Sequence, residues 1–128
     1  MTTTVAAVQM VSTPVVDENI ATARRLIGEA AGRGAKLITL PEYWPIMGMT
    51  DTDKVAHAEQ PGHGPIQDFL AGQAREHGIW LIGGTLPLVS GDAGRVLNTT
   101  LVYDPEGRHV GRYDKIHLFG FNKGSESY

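Results

Sequence analysis

The 128-residue chain has no cysteine. Disulfides and cysteine-ligated zinc are therefore excluded within it. It also has no run of 18 apolar residues, and its start, MTTTVAAVQM, carries no positive charge. Neither a membrane span nor a secretion leader is expected. Positive charge is sparse and scattered, with 11 Lys and Arg against 14 Asp and Glu. The net charge of −3 and the lack of a basic block argue against nucleic acid as a partner. No internal repeat, linker or low-complexity tract is present. By default the expected compartment is the cytoplasm.

What is present suits one domain with its own core, since 41% of the residues are hydrophobic and 20% charged. The chain is organised around Lys36–Trp44, KLITLPEYW. Leu37 to Leu40 reads as a short buried strand. Pro41 has no N–H and cannot continue a central strand, so the chain must turn and present Glu42. A carboxylate there sits at the C-terminal end of a strand, the edge where open α/β sheets bind ligands. Alternatively, Glu42 is a solvated loop acid. Its neighbours Tyr43, Trp44 and Pro45 are large and apolar, and an acid among them is expected to be partly desolvated, which makes a better base near neutral pH.

The order of elements points to an α/β fold. Thr4–Met10 reads as a strand. A helix follows, capped at Asp17, with apolar residues at 20, 23, 26, 27, 30 and 31 and glycines at 32 and 34. With the strand at 36–40 this forms a βαβ unit, which implies parallel strands. Residues 45–63 read as irregular. Gly64-Pro65 opens a second helix that Gly78 closes, and Ile79–Gly83 is a third strand. Its two final glycines imply that something approaches the backbone closely there. Residues 86–95 read as a loop. Val96–Tyr103 and His109–Ile116 pair as a hairpin around the turn Asp104-Pro105-Glu106-Gly107. Leu97, Thr99, Leu101 and Tyr103 share one face of that hairpin; Asn98, Thr100 and Val102 share the other. The expected architecture is a mixed sheet with helices on one face. Gly120–Tyr128 reads as a loop, and two helices are too few to cover both faces of such a sheet. A fragment, or a half that needs a partner, is therefore expected.

The second dense stretch is Arg112–Phe119, RYDKIHLF. Lys115 ends a strand, as Glu42 does, 73 residues later. Alone it reads as a surface lysine. Beside a carboxylate it stays charged and can stabilise a developing oxyanion.

AAVQM, KLITLPEYWP, IWLIGGTLP and VLNTTLVYDPEGRHVGRYDKIHLF, in that order, resemble the nitrilase superfamily, the carbon–nitrogen hydrolases. The resemblance covers essentially the whole chain, and the LPE and Y-x-K-x-H-L-F motifs together make it specific. It implies an αββα sandwich of which residues 1–128 are the N-terminal half, ending before the strand that bears the nucleophile. It also implies that Glu42 is the general base and Lys115 the catalytic lysine, and that His117 and Phe119 shape the pocket beside Tyr43. The family's third catalytic residue is a cysteine, and this chain has none. The chain alone is therefore expected to be inactive. Details such as Gln9-Met10 and Gly62–Pro65 look most like the deaminated-glutathione amidase and omega-amidase branch, with true nitrilases second. This implies a small linear amide as substrate, no cofactor and a homo-oligomer in the full-length form. Arg112 is the candidate cation for the substrate's free carboxylate.

Three weaker motifs read as structural. His57, Glu59 and His63 lack the helical spacing of metal ligands. Gly62-His63-Gly64 lacks the strand and further glycines of a dinucleotide loop. Asn98-Thr99-Thr100 matches a glycosylation sequon without a secretion leader. The rival reading of the chain is a non-catalytic half-domain that serves as an interaction module for a second chain.

Overall fold

The computed structural model describes residues 2–48, 51–91, 94–116, 122–123 and 126–127. Strand β1 (Thr4–Ala7), helix α1 (Val16–Gly32) and strand β2 (Ala35–Thr39) form the expected βαβ unit, with β1 and β2 parallel. Short helix α2 (Asp51–Ala56) and helix α3 (Pro65–His77) follow. Next come β3 (Trp80–Ile82), β4 (Leu86–Val89), β5 (Val96–Tyr103) and β6 (His109–Asp114). Strand β3 pairs parallel with β2 and antiparallel with the far end of β5, while β4 pairs with the near end of β5. Strand β6 lies against β5 as the hairpin requires. Two-residue strands β7 (Asn122–Lys123) and β8 (Glu126–Ser127) pair with each other.

Alternation along the strands decides which face is covered. Ala6, Ile38, Leu81 and Tyr103 lie in one cross-strand row and face α1 and α3. There they meet Ala23 and Ile27 of α1 and Ile66, Phe69, Leu70 and Ala74 of α3, all buried. The neighbouring row, Val5, Leu37 and Trp80, points the other way. Among the described residues no helix covers that face, and Trp80 remains 45% exposed and Val5 64%. The fold is thus a mixed sheet with helices on one face.

Six local expectations are corrected. Residues 86–89 are strand β4, because Leu86 and Leu88 alternate into the core around Pro87. The stretch read as irregular contains α2, and the tail read as loop contains the β7–β8 pair. Helix α1 begins at Val16, not after an Asp17 cap, and Asp17 lies in its first turn. Its entry is held instead by Asn19, whose Oδ1 accepts from Thr13 N (2.8 Å) and whose Nδ2 donates to Thr13 O (2.7 Å) and Pro45 O (2.8 Å). Strands β1 and β6 are also shorter than expected, ending at Ala7 and Asp114.

One irregularity sets the geometry of the hairpin. Thr99 pairs with Asp114 and Val102 with Gly111, but Tyr103 pairs with His109. Val110 is the extra residue, a β-bulge.

Candidate active site

The turn that carries Glu42 is pinned from several sides. Strand β2 ends as Leu40 N donates to Ile82 O (3.0 Å), and Pro41 then ends the ladder. The next residue but one, Tyr43, takes a left-handed φ of 52°, a conformation rare for a bulky side chain and common at functional sites. Its N–H donates to Thr85 Oγ1 at 2.8 Å. Trp44 is fully buried against Phe69, and its Nε1 donates to Gly83 O at 3.0 Å. Ser12 Oγ donates to Trp44 O at 2.8 Å, and Met47 N to Thr13 O at 3.0 Å. Gly84, at φ 56°, lies so close to the carbonyls of Leu40 and Pro41 that a Cβ would strike both. This is the close backbone approach that the glycine pair implied.

Lys115 arrives from the other side. Its N–H donates to Asn98 O at 2.8 Å, one residue beyond β6, and its Nζ reaches Glu42 Oε1 at 3.2 Å. Asn98 Nδ2 donates to the same oxygen at 3.3 Å. The two side chains of the ion pair remain 53% exposed for Glu42 and 31% for Lys115. A pair so open to solvent contributes on the order of 0–1 kcal/mol to folding. It joins residues 73 apart in the chain while adding little to stability.

The expected apolar ring around Glu42 is not what the structure holds. Trp44 and Pro45 turn into the molecule, and the carboxylate faces outward. Tyr43 stays beside it, under the Lys54 ammonium at 3.7 Å from the ring centroid. Burial, and then the Glu42 charge, push the Tyr43 phenol above its ordinary value.

Arg112 is not brought to this pair. It is opposite Leu101, on the helix-covered side of the sheet, and its guanidinium holds Asp114 at 3.0 and 3.2 Å. That bond, with a 2.7 Å bond from the buried Thr99 hydroxyl, keeps the Asp114 carboxyl below its usual range. In an extended strand, residues three apart point to opposite faces, so Arg112 and Lys115 cannot share a pocket. His117 and Phe119 lie outside the described residues. Asn98, read earlier only as a sequon, is the site residue that sequence reasoning missed. The available signal was its shared face with Thr100 and Val102 in a strand whose hairpin partner leads to Lys115.

Among the described residues no cluster suits a metal ion. Glu59 serves α3 instead. It accepts from Ile66 N (2.7 Å), Gln67 N (3.1 Å) and Gln67 Nε2 (3.1 Å), satisfying the exposed donors of the helix start. A Cβ on Gly64 would collide with that carboxylate. No helix among the described residues is long and apolar enough to cross a membrane.

Residues 4–127 match the carbon-nitrogen hydrolase family. The chain belongs to this family. As a carbon–nitrogen hydrolase it is 36% identical over 118 residues to a deaminated glutathione amidase of Synechocystis sp., covering 91% of this chain and 43% of that protein. It is 38% identical over 112 residues to an omega-amidase NIT2 of Xenopus tropicalis, covering 88% and 39%. The fold matches the crystal structure of the C. elegans NitFhit protein with a TM-score of 0.78 and 27% identity, over 93% of this chain and 29% of that one. The chain therefore spans less than half the length of the curated relatives it matches.

Proposed function

We propose that this chain supplies the general base and the oxyanion-binding cation of an amidase for small linear amides, with Glu42 and Lys115 in those roles. The observation that carries the reading is the 3.2 Å contact between Lys115 Nζ and Glu42 Oε1 at the rim of one sheet. The names of the relatives support an amide substrate, and within that class an omega-amide. Residues 1–128 then form the N-terminal half of an αββα domain, whose other half covers the open face carrying Val5, Leu37 and Trp80.

The chemistry needs a thiol from outside these residues, since the chain has no cysteine. Glu42 takes the thiol proton as sulfur bonds to the amide carbon, and the Lys115 ammonium holds the resulting oxyanion. Protonated Glu42 then gives its proton to the departing nitrogen, the C–N bond breaks and a thioester remains. A water molecule surrenders a proton to Glu42 and attacks the thioester. The C–S bond breaks, the acid leaves, and the sulfur recovers its proton. Holding the oxyanion with Lys115 lowers the barrier by about 3 kcal/mol.

Ammonia release from a small omega-amide tests the reading. The 128-residue chain alone is expected to give none above the blank, and turnover there would overturn the requirement for an outside thiol. In a gene product that contains these residues together with a cysteine-bearing half, turnover is expected. Lys115→Ala should reduce it by roughly 10²–10³. Full activity in that variant would remove Lys115 from the mechanism.

A further inference from the structure

We infer that Asn98 is a positioning residue of this site: it holds Oε1 of Glu42 beside Lys115 and leaves Oε2 free to exchange the proton. The inference rests on the amidase reading for its catalytic meaning, but its geometry stands separately. Asparagine is a poor strand residue, and Asn98 is only 3% exposed within β5. It is tied to the pair twice. Its backbone carbonyl accepts from Lys115 N at 2.8 Å, and its Nδ2 donates to Glu42 Oε1 at 3.3 Å. One residue thus fixes the start of the lysine side chain and the end of the glutamate side chain.

The other half of the amide has no such use. Asn98 Oδ1 is buried and has no hydrogen-bond partner among the described residues. Buried polar atoms without partners are uncommon and call for an explanation. Turning the amide over would not remove the cost. It would set Oδ1 against the Glu42 carboxylate, acceptor against acceptor, and leave the NH₂ unpaired in its place. The orientation that keeps a donor on Glu42 is the one the charge selects. Oε1 then carries two donors, Asn98 Nδ2 and Lys115 Nζ. No donor reaches Oε2 among the described residues, which makes it the oxygen available to a thiol, a leaving nitrogen or a water.

Two measurements test this. In the 128-residue chain, the side-chain NH₂ signals of Asn98 in a nitrogen–proton correlation spectrum should shift when Glu42→Gln is introduced. Insensitivity of those signals would overturn the inference without touching the amidase reading. In the longer gene product, Asn98→Asp keeps the shape but removes the donor. Turnover should drop tenfold or more in kcat, with KM within about threefold. A change confined to KM, or none, would reduce Asn98 to a structural residue. If the parent protein hydrolyses no amide at all, the amidase reading fails, and the spectrum still decides whether Asn98 holds Glu42.

Discussion

The β5–β6 hairpin joins a carboxylate to a cation at each of its ends, and the two ends are assembled differently. At the turn, Asp104 is buried and takes every donor in reach: Glu106 N and Arg108 N at 2.9 Å on Oδ1, and Arg108 Nε at 2.8 Å on Oδ2. Backbone N–H donation from Arg108, with its guanidinium, holds the Asp104 carboxyl below the usual range. All partners lie within four residues, so the arrangement forms with the turn itself. At the open end, Glu42 is half-exposed, one oxygen has no donor among the described residues, and its partners come from far along the chain. The adjoining Tyr43 is held at a positive φ, and the Asn98 side-chain oxygen has no partner among the described residues. A carboxylate saturated with local donors stabilises a turn. One held by a single oxygen, on a strained loop, keeps capacity for a reaction.

The contrast can be broken by exchanging acids for amides. In a gene product that carries both halves, Glu42→Gln should lower kcat for amide hydrolysis by roughly 10²–10⁴, whereas Asp104→Asn should leave kcat unchanged; comparable losses from both would erase the distinction. Next in size is the support beneath the open end. Trp44→Ala removes a fully buried ring and its bond to Gly83, and should cost about 3–5 kcal/mol in denaturant unfolding; a loss under 1 kcal/mol would mean that the Glu42 turn is not anchored there.

Two smaller effects concern the closed end. Burial, and then the charges of Glu59 and Asp68, push the Tyr103 phenol up to about 12. A raised value means that the unfolded chain loses its proton first. The stabilisation is therefore complete below pH 10 and is lost as pH climbs towards 12. Tyr103→Phe should flatten that decline in an alkaline unfolding series, and an unchanged slope would contradict the assignment. The Asp104 carboxyl has the opposite sign. Its contribution is present above about pH 4, the ordinary carboxylate range, and disappears as pH falls through its lowered value. Asp104→Asn should reduce the thermal midpoint at pH 7 and show a smaller difference from the parent at acid pH.

Much of this was legible from residue order. Proline after Leu37–Leu40 stopped a strand and fixed the place of Glu42, because a missing N–H acts locally. The Asp104–Gly107 turn was legible for the same reason. The failures are non-local. Strand β4 hides in LPLV because its pattern has meaning only opposite β5. Trp44 was expected to shelter Glu42, yet a core position under Phe69 claims it. Arg112 was given to the substrate because a free carboxylate needs a cation, but face parity sends it to Asp114. Asn98 escaped notice because its partner is 56 residues away.

The bulge at Val110 has a further consequence. Were Val110 to join a regular ladder opposite Val102 instead of bulging, with the turn at 104–107 kept, everything after it in β6 would slide by one along β5 and change sides of the sheet. Asp114 and Arg112 would come round to where Lys115 now stands, and the ammonium would be carried under the helices. The bulging of a single valine, remote from the rim, thus selects whether Glu42 is met by an amine or by another acid.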